Sequence, residues 1–159
     1  MTVFIITLCI VIFDQATKYL AERFLRPVGE VPIIKDFLYL TYHRNKGAAF
    51  SILQNHRWLF MVLSSAIIVG IIMYLAFTRK QKKSRLLNVS LALLLGGGIG
   101  NMIDRIFFGE KLFCGSVIDF IDFRFINFAV FNVADSAVTI GEILLIIYII
   151  FFEAKKKDN

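Results

Sequence analysis

The segment WLFMVLSSAIIVGIIMYLAF, residues 58–77, runs for 20 residues without a charged side chain. An α-helix of that length rises about 30 Å, which matches the hydrocarbon core of a lipid bilayer. The segment is therefore predicted to be a transmembrane helix. This prediction makes a membrane protein the first hypothesis for the whole chain.

The rest of the chain contains three more candidate spans and has the composition of a membrane protein. Of the 159 residues, 58% are hydrophobic and 19% are charged. An ordinary soluble domain is about 45–50% apolar and about 25% charged, so composition argues against one. We predict an all-α membrane protein that forms a single domain over residues 1–159. Its four transmembrane helices are placed at residues 2–24, 58–78, 86–106 and 134–152.

The basic residues number eight on one side of the predicted membrane and nine on the other, but the eight are packed into two short segments beside span ends. The net charge is +6, and five of the seven residues of RKQKKSR (79–85) are Lys or Arg. Three more lysines, at 155–157, lie on the same side of the membrane if there are four spans. Because basic residues near span ends favour the cytoplasm, we predict that both termini are cytoplasmic and that these residues contact anionic lipid headgroups. No basic face with interleaved aromatic residues is predicted, so nucleic acid is not an expected partner.

Ionisable side chains inside a transmembrane span are costly and point to function. Apart from Glu22 and Arg23 at the outer rim, six lie within or at the edge of the predicted spans: Asp14, Lys18, Asp104, Arg105, Asp135 and Glu142. A rise of about 1.5 Å per residue places most of them, together with Asn101, in the outer third of the bilayer. Structural polar residues scattered at random would not gather at one depth, so a site is predicted there.

Two groups of these residues share a helical face. Asp14 and Lys18 are four positions apart, which suits either a local ion pair or a supporting role in a site. Asn101, Asp104 and Arg105 lie at positions i, i+3 and i+4 of the third span. This second group is either a packing and capping cluster or part of the site.

Two aspartates near the fourth span are candidates for acid–base chemistry. Asp119 lies in the outer loop segment SVIDFIDF, and Asp135 lies in FNVADS at the start of the span. Two neighbouring carboxyl groups cannot both ionise cheaply, so one keeps its proton and can act as an acid while the other acts as a base. The alternative is a loop acid and a helix N-cap. Asp122 is a rival for the loop position, so the residues alone leave the pairing open.

The first outer segment, residues 28–57, has the pattern of a small sheet rather than a helix. DFLYLTYHR (36–44) is rich in β-forming residues, and Asn45-Lys46-Gly47 gives a turn signal. We expect a small sheet on the outer membrane surface. Turn chemistry alone would explain Asn45 and Gly47, and a role in the site is the alternative.

Five segments of the chain together resemble the lipoprotein signal peptidases, which are the type II signal peptidases of bacteria. In order, they are DQATK (14–18), HRNKGAAFSIL (43–53), GGGIGNMIDR (96–105), VIDF (117–120) and FNVADS (131–136). The resemblance implies an aspartic endopeptidase in the bacterial cytoplasmic membrane, with four transmembrane helices and a small extracytoplasmic β-cradle. It implies cleavage of a prolipoprotein just before a cysteine that carries a diacylglyceryl group. No metal or organic cofactor is implied.

The same resemblance assigns roles to individual residues. It places the catalytic dyad on Asp119 and Asp135 and so favours Asp119 over Asp122. It implies that Lys18 and Asp104 are structural. The residues implied to shape the site or hold the substrate are Asp14, Asn45, Asn101, Arg105 and Asn132.

Two other classes of membrane protein remain as alternatives. A small proton- or ion-coupled transporter would explain the intramembrane acids, but it predicts polar groups near the midplane and inverted repeats. Most of the acids lie near one edge instead, and the sequence contains no internal repeat. A scaffold subunit would use the polar groups for helix packing. Glu142, deeper in the fourth span, matches no motif and has no assigned role.

Overall fold

The computed structural model describes residues 1–47, 57–126 and 128–153. Residues 48–53 of the motif HRNKGAAFSIL and the lysines at 155–157 lie outside the described residues. The helices are α1 (Thr2–Leu20), α2 (Arg57–Phe77), α3 (Arg85–Phe107) and α4 (Val133–Tyr148). α1 and α4 continue into short π-helical segments, Ala21–Leu25 and Ile149–Glu153.

All four helices are long and apolar enough to cross a membrane, and the chain is a multi-pass membrane protein. The four spans are Thr2–Leu25, Trp58–Phe77, Arg85–Phe107 and Val133–Phe152. Each predicted span boundary lies within one residue of these bounds. The agreement follows because hydropathy records directly which segments can lie in hydrocarbon.

α3 is the central helix of the bundle. The buried share is 56% for the most apolar part of α3, against 11% for α1 and α2 and 17% for α4. The other three helices pack against α3 and leave large apolar side chains exposed. Lipid tails are as apolar as leucine, so burial of apolar surface does not drive helices together within a membrane, and close packing is needed instead.

The glycine-rich stretch GGGIG (96–100) of α3 provides this close packing. A Cβ atom on Gly97 would lie 2.3 Å from the carbonyl oxygen of Ala134 in α4. A Cβ atom on Gly100 would lie 2.6 Å from Oδ2 of Asp14 in α1. Only residues without a side chain allow both neighbours to approach so closely. As a result, the backbone N–H of Ala134 donates to Asp14 Oδ1 at 2.9 Å, which joins α1 to α4 beside α3.

A three-stranded antiparallel sheet lies at one end of the bundle, which we call the sheet end. Its strands are β1 (Glu30–Ile34), β2 (Leu38–Asn45) and β3 (Val117–Phe123), in that order. β1 and β2 form the sheet predicted for residues 28–57. The expectation that VIDFIDF belongs to a loop is wrong, because this segment pairs with β2 and places His43 opposite Asp119. Its β-branched and aromatic residues suit a strand once a partner is available.

The sheet is fixed to the end of α1 by apolar and polar contacts. The apolar contacts form a buried cluster of Ala21, Leu25, Ile118 and Phe120. The Tyr42 hydroxyl donates to Glu22, and Arg44 Nη2 lies 3.1 Å from the same carboxylate. These contacts hold β3 against the ends of the helices, and Asp119 is only 1% exposed there.

Candidate active site

Two carboxylates from different elements line one cavity at the sheet end. Asp119 comes from β3, and Asp135 comes from the first turn of α4. The cavity has a volume of about 410 Å³ and lies between α3, α4 and the sheet. The structure therefore brings together the two aspartates that the family resemblance assigned to the dyad.

Asn132 connects the two carboxylates. It is the N-cap of α4, and its Oδ1 accepts the Asp135 N–H at 2.9 Å while Asp135 Oδ2 accepts the Asn132 N–H at 3.2 Å. This capping box restrains the Asp135 side chain. The suggestion that Asp135 is itself the N-cap is therefore wrong, because it is the third residue of the helix. Asn132 Nδ2 also donates to Asp119 Oδ1 at 2.6 Å.

Asn45 contacts the other oxygen of Asp119. Its Nδ2 donates to Asp119 Oδ2 at 2.9 Å. Its Oδ1 accepts the Gly47 N–H at 2.9 Å, which is the turn that the Asn-Lys-Gly sequence predicts. The same side chain thus closes the turn after β2 and supports a carboxylate of the pair.

α3 contributes two polar residues to the cavity. Asn101 Nδ2 donates to Asp135 Oδ1 at 2.8 Å. Arg105, one turn further along α3, also lines the cavity, and its charge acts on both Asp119 and Asp135. Within the described part of the chain, no hydrogen bond or ion pair engages its guanidinium group. The five N–H donors of that group are therefore available to a ligand in the cavity.

Asp14 supports the site from behind rather than lining the cavity. It is fully buried and accepts the Ala134 N–H, so its charge lies at the N-terminus of α4, where a negative charge is stabilising. Lys18 Nζ donates to Asp14 Oδ2 at 2.8 Å, which confirms the predicted ion pair. Lys18 Nζ also lies 2.8 Å from Asp104 Oδ2, so the pair extends from α1 to α3.

Asp122 does not take part in the cavity. It lies three residues after Asp119, so its side chain leaves the opposite face of β3. There it accepts from Thr41 Oγ1 at 3.0 Å and from Arg124 Nη2 at 2.9 Å. Glu142 is exposed on α4 and is not among the residues that line the cavity.

Apolar residues that the sequence analysis did not single out form much of the cavity wall. They include Phe128, Phe131, Val138 and Ile140. Hydropathy cannot separate an apolar residue that faces a cavity from one that faces lipid or the protein core. The only signal in the sequence is that these residues lie within or beside the FNVADS motif. The resulting cavity has ionisable groups at one end and apolar walls beside them.

Burial and the neighbouring charge of Asp135 raise the pKa of Asp119 to about 7. Hydrogen bonds from Asn45 and Asn132 and the charge of Lys18 oppose this rise. About half of the Asp119 side chains are therefore protonated at neutral pH. A carboxyl group that keeps its proton beside an ionised partner suits acid–base catalysis.

The chain is similar to known proteins over nearly its whole length. Residues 6–151 match the family described as signal peptidase (SPase) II. The lipoprotein signal peptidase of Halalkalibacterium halodurans is 43% identical, with 100% of this chain and 98% of that protein covered. The lipoprotein signal peptidase of Shouchella clausii is 47% identical, with 98% and 97% covered. A bacterial membrane enzyme structure obtained by the in meso method matches with a TM-score of 0.82 and 35% identity, covering 99% of this chain and 93% of that chain.

The family match spans nearly all of the chain, and the relatives align over almost their full length. The transporter and scaffold alternatives are therefore dropped. The chain belongs to the signal peptidase II family and is an aspartic peptidase that removes signal peptides from prolipoproteins.

Proposed function

We propose that Asp119 and Asp135 are the catalytic dyad of this peptidase. The observation that carries the proposal is that both carboxylates line one cavity while the single buried side chain of Asn132 bonds to both residues. Asp119, with its pKa of about 7, holds the proton of the pair. Asp135, which accepts from Asn101 and from the Asn132 N–H, is the ionised partner.

The reaction follows from this division of roles. Asp135 takes a proton from water as the water oxygen attacks the scissile carbonyl carbon. Asp119 gives its proton to the amine nitrogen as the C–N bond breaks. The dyad then returns to its starting state when a proton leaves Asp135 and another reaches Asp119. Arg105 stabilises the charge that develops on the carbonyl oxygen, because its N–H donors are not used elsewhere in the described structure.

We further propose that the substrate is cleaved just before a cysteine that carries a diacylglyceryl group. The cavity is suited to such a substrate because Phe128, Phe131 and Ile140 provide apolar walls beside the two carboxylates. Acyl chains can then stay in hydrocarbon while the peptide bond meets water and acid–base groups. Asn101 and Arg105 also line the cavity, and their N–H groups are suited to hydrogen-bond a substrate backbone.

Lipidation of the substrate is expected to control cleavage. The purified protein in detergent would be given a prolipoprotein with a diacylglyceryl cysteine and, as the matched substrate, the same prolipoprotein with an unmodified cysteine. We expect cleavage of the lipidated form only, because the unmodified form gains nothing from the apolar walls. Mass spectrometry of the product should show the lipidated cysteine at the new N-terminus.

Two outcomes would contradict the substrate proposal. Equal cleavage of the unmodified prolipoprotein would mean that the lipid is not recognised. Cleavage at another peptide bond would mean that the cysteine does not set the position of the cut. A lipidated substrate with Asp119→Asn enzyme serves as the control for contaminating proteases.

We also propose the location and orientation of the enzyme. The chain forms one domain over residues 1–159 in the bacterial cytoplasmic membrane, with both termini in the cytoplasm and the active site towards the extracytoplasmic face. In support, the basic linker at 79–85 joins α2 to α3 at the end of the bundle opposite the sheet end. Such basic segments favour the cytoplasm and attract anionic lipid headgroups. Nucleic acid is not a proposed partner.

A further inference from the structure

Three asparagine side chains contact the two carboxylates, and each must present its NH₂ group rather than its oxygen. The two ends of an asparagine amide are similar in size but opposite in hydrogen bonding. An oxygen turned towards a carboxylate would repel it. The site therefore requires something that fixes each amide in one of its two orientations.

Two of the three amides are fixed by the backbone. The Gly47 N–H donates to Asn45 Oδ1, which turns Asn45 Nδ2 towards Asp119. The Asp135 N–H donates to Asn132 Oδ1, which turns Asn132 Nδ2 towards Asp119 as well. In both cases a turn or a helix terminus determines the orientation, and no further side chain is needed.

Asn101 differs because it lies inside α3, where backbone N–H groups are used by the helix itself. Its Oδ1 accepts from Lys18 Nζ at 2.9 Å and, more distantly, from Asn132 Nδ2 at 3.2 Å. Its Nδ2 can then reach Asp135 Oδ1 at 2.8 Å. A bond from an ammonium group is the stronger of the two, because hydrogen bonds with a charged partner are about twice as strong as neutral ones.

Lys18 is itself held in a single position. Its ammonium group donates hydrogen bonds to Asp14 and Asn101 and forms an ion pair with Asp104. The partners are Asp14 Oδ2 at 2.8 Å, Asp104 Oδ2 at 2.8 Å and Asn101 Oδ1 at 2.9 Å. The side chain is 3% exposed, so no water competes for these donors. The position of the Lys18 ammonium group on α1 therefore determines which way the Asn101 amide on α3 is turned.

We propose that Lys18 is a positioning residue for catalysis, which fixes the Asn101 amide so that its NH₂ group supports the Asp135 carboxylate. This goes beyond the structural role that the family resemblance implies for Lys18. It rests on the proposed function, because it assumes that Asp135 is the ionised member of the dyad. Without the ammonium, the Asn101 amide can turn over and direct its oxygen at Asp135.

The test compares two full-length variants in detergent with a lipidated prolipoprotein as substrate. Lys18→Met/Asp104→Asn removes one positive and one negative charge, so the buried region keeps its net charge. Asp14 retains the Ala134 N–H and Gln15 Nε2 as donors in this variant. Asp104→Asn alone is the matched control and keeps Lys18. Thermal unfolding and gel filtration establish that both variants are folded before rates are compared.

Relative to Asp104→Asn, the double variant is expected to have a kcat about 10–100-fold lower, as is typical when an orienting partner is lost. KM should be little changed, because Lys18 does not touch the substrate. The acid limb of the pH profile of kcat/KM should move to higher pH, since the dyad loses a nearby cation and a donor. Among the described residues, the charged groups near the dyad include Lys18, with Asp14 and Asp104 beside it, and Arg105, and the titratable His43 of β2 lies opposite Asp119.

An unchanged kcat in the double variant would overturn the proposal, since a merely structural lysine lowers the folded fraction without lowering the kcat of the folded enzyme. If Asp104→Asn itself fails to fold, Lys18→Met is compared with wild type by the same pH profile. The proposed function is tested separately in the same assay. Its failure would appear as cleavage by Asp119→Asn, whereas failure of the Lys18 proposal leaves Asp119→Asn inactive and the double variant active.

Discussion

Asp119→Asn and Asp135→Asn are each expected to lower kcat/KM by about a thousandfold or more, because each variant removes one half of the acid–base pair. An amide at position 119 has no carboxylic proton to give to the leaving amine. An amide at position 135 cannot accept a proton from water. The rate of release of the signal peptide from a lipidated prolipoprotein measures both effects.

Asp122→Asn is the matched control for this experiment. It makes the same chemical change in the same strand, but on the face that bonds to Thr41 and Arg124 rather than the face that lines the cavity. We expect its kcat/KM to stay near that of wild type. Loss of activity in Asp122→Asn, together with activity in Asp119→Asn, would mean that the dyad has been assigned to the wrong aspartate.

Asn132→Ala is expected to lower kcat by about a hundredfold or more, which is the usual loss when one donor to a reacting charge is removed. The buried amide of Asn132 donates to Asp119 and caps the helix that carries Asp135. Its removal therefore takes a donor from the Asp119 carboxylate and the cap from the helix that carries Asp135. Loss of the cap should also cost about 1 kcal/mol of stability.

Ser84→Ala separates the catalytic effect from the loss of a helix cap. Ser84 is the N-cap of α3, and its hydroxyl accepts the Leu87 N–H at 3.1 Å, at the end of the bundle away from the dyad. This variant should lose a similar amount of stability, about 1 kcal/mol, but keep its kcat. Equal kcat values for the two alanine variants, each measured on folded protein, would show that Asn132 acts only as a cap.

The membrane part of the fold could be predicted from the sequence because it depends on local hydropathy. The four spans and the depth of Asp14, Asn101 and Asp135 follow from residue counts along single helices. The strand β3 could not be predicted in the same way, since VIDFIDF becomes a strand only through pairing with β2, more than seventy residues earlier in the chain. Unless the segment is known to be a strand, the three-residue spacing does not place Asp119 and Asp122 on opposite faces.

The candidate site, too, could be predicted only in part from the sequence. Its polar residues were found because charges are rare in spans and because they match family motifs. The apolar wall formed by Phe128 and Phe131 was missed, since hydrophobicity does not distinguish a cavity from lipid. The contact between Lys18 and Asn101 joins residues 83 positions apart, and only the close packing of α1 on α3 brings them together.

The pH dependence of kcat/KM for the wild-type enzyme tests the central claim, that Asp119 and Asp135 share one catalytic proton, most directly. The profile of kcat/KM reports ionisations of the free enzyme. Asp119 must be protonated to act as the acid, and its pKa is about 7. Activity should therefore fall as pH rises through 7, by about tenfold per pH unit on the alkaline side, and fall again at low pH when Asp135 takes up a proton. A rate that keeps rising or stays level from pH 7 to pH 9 would contradict the assignment of Asp119 as the acid.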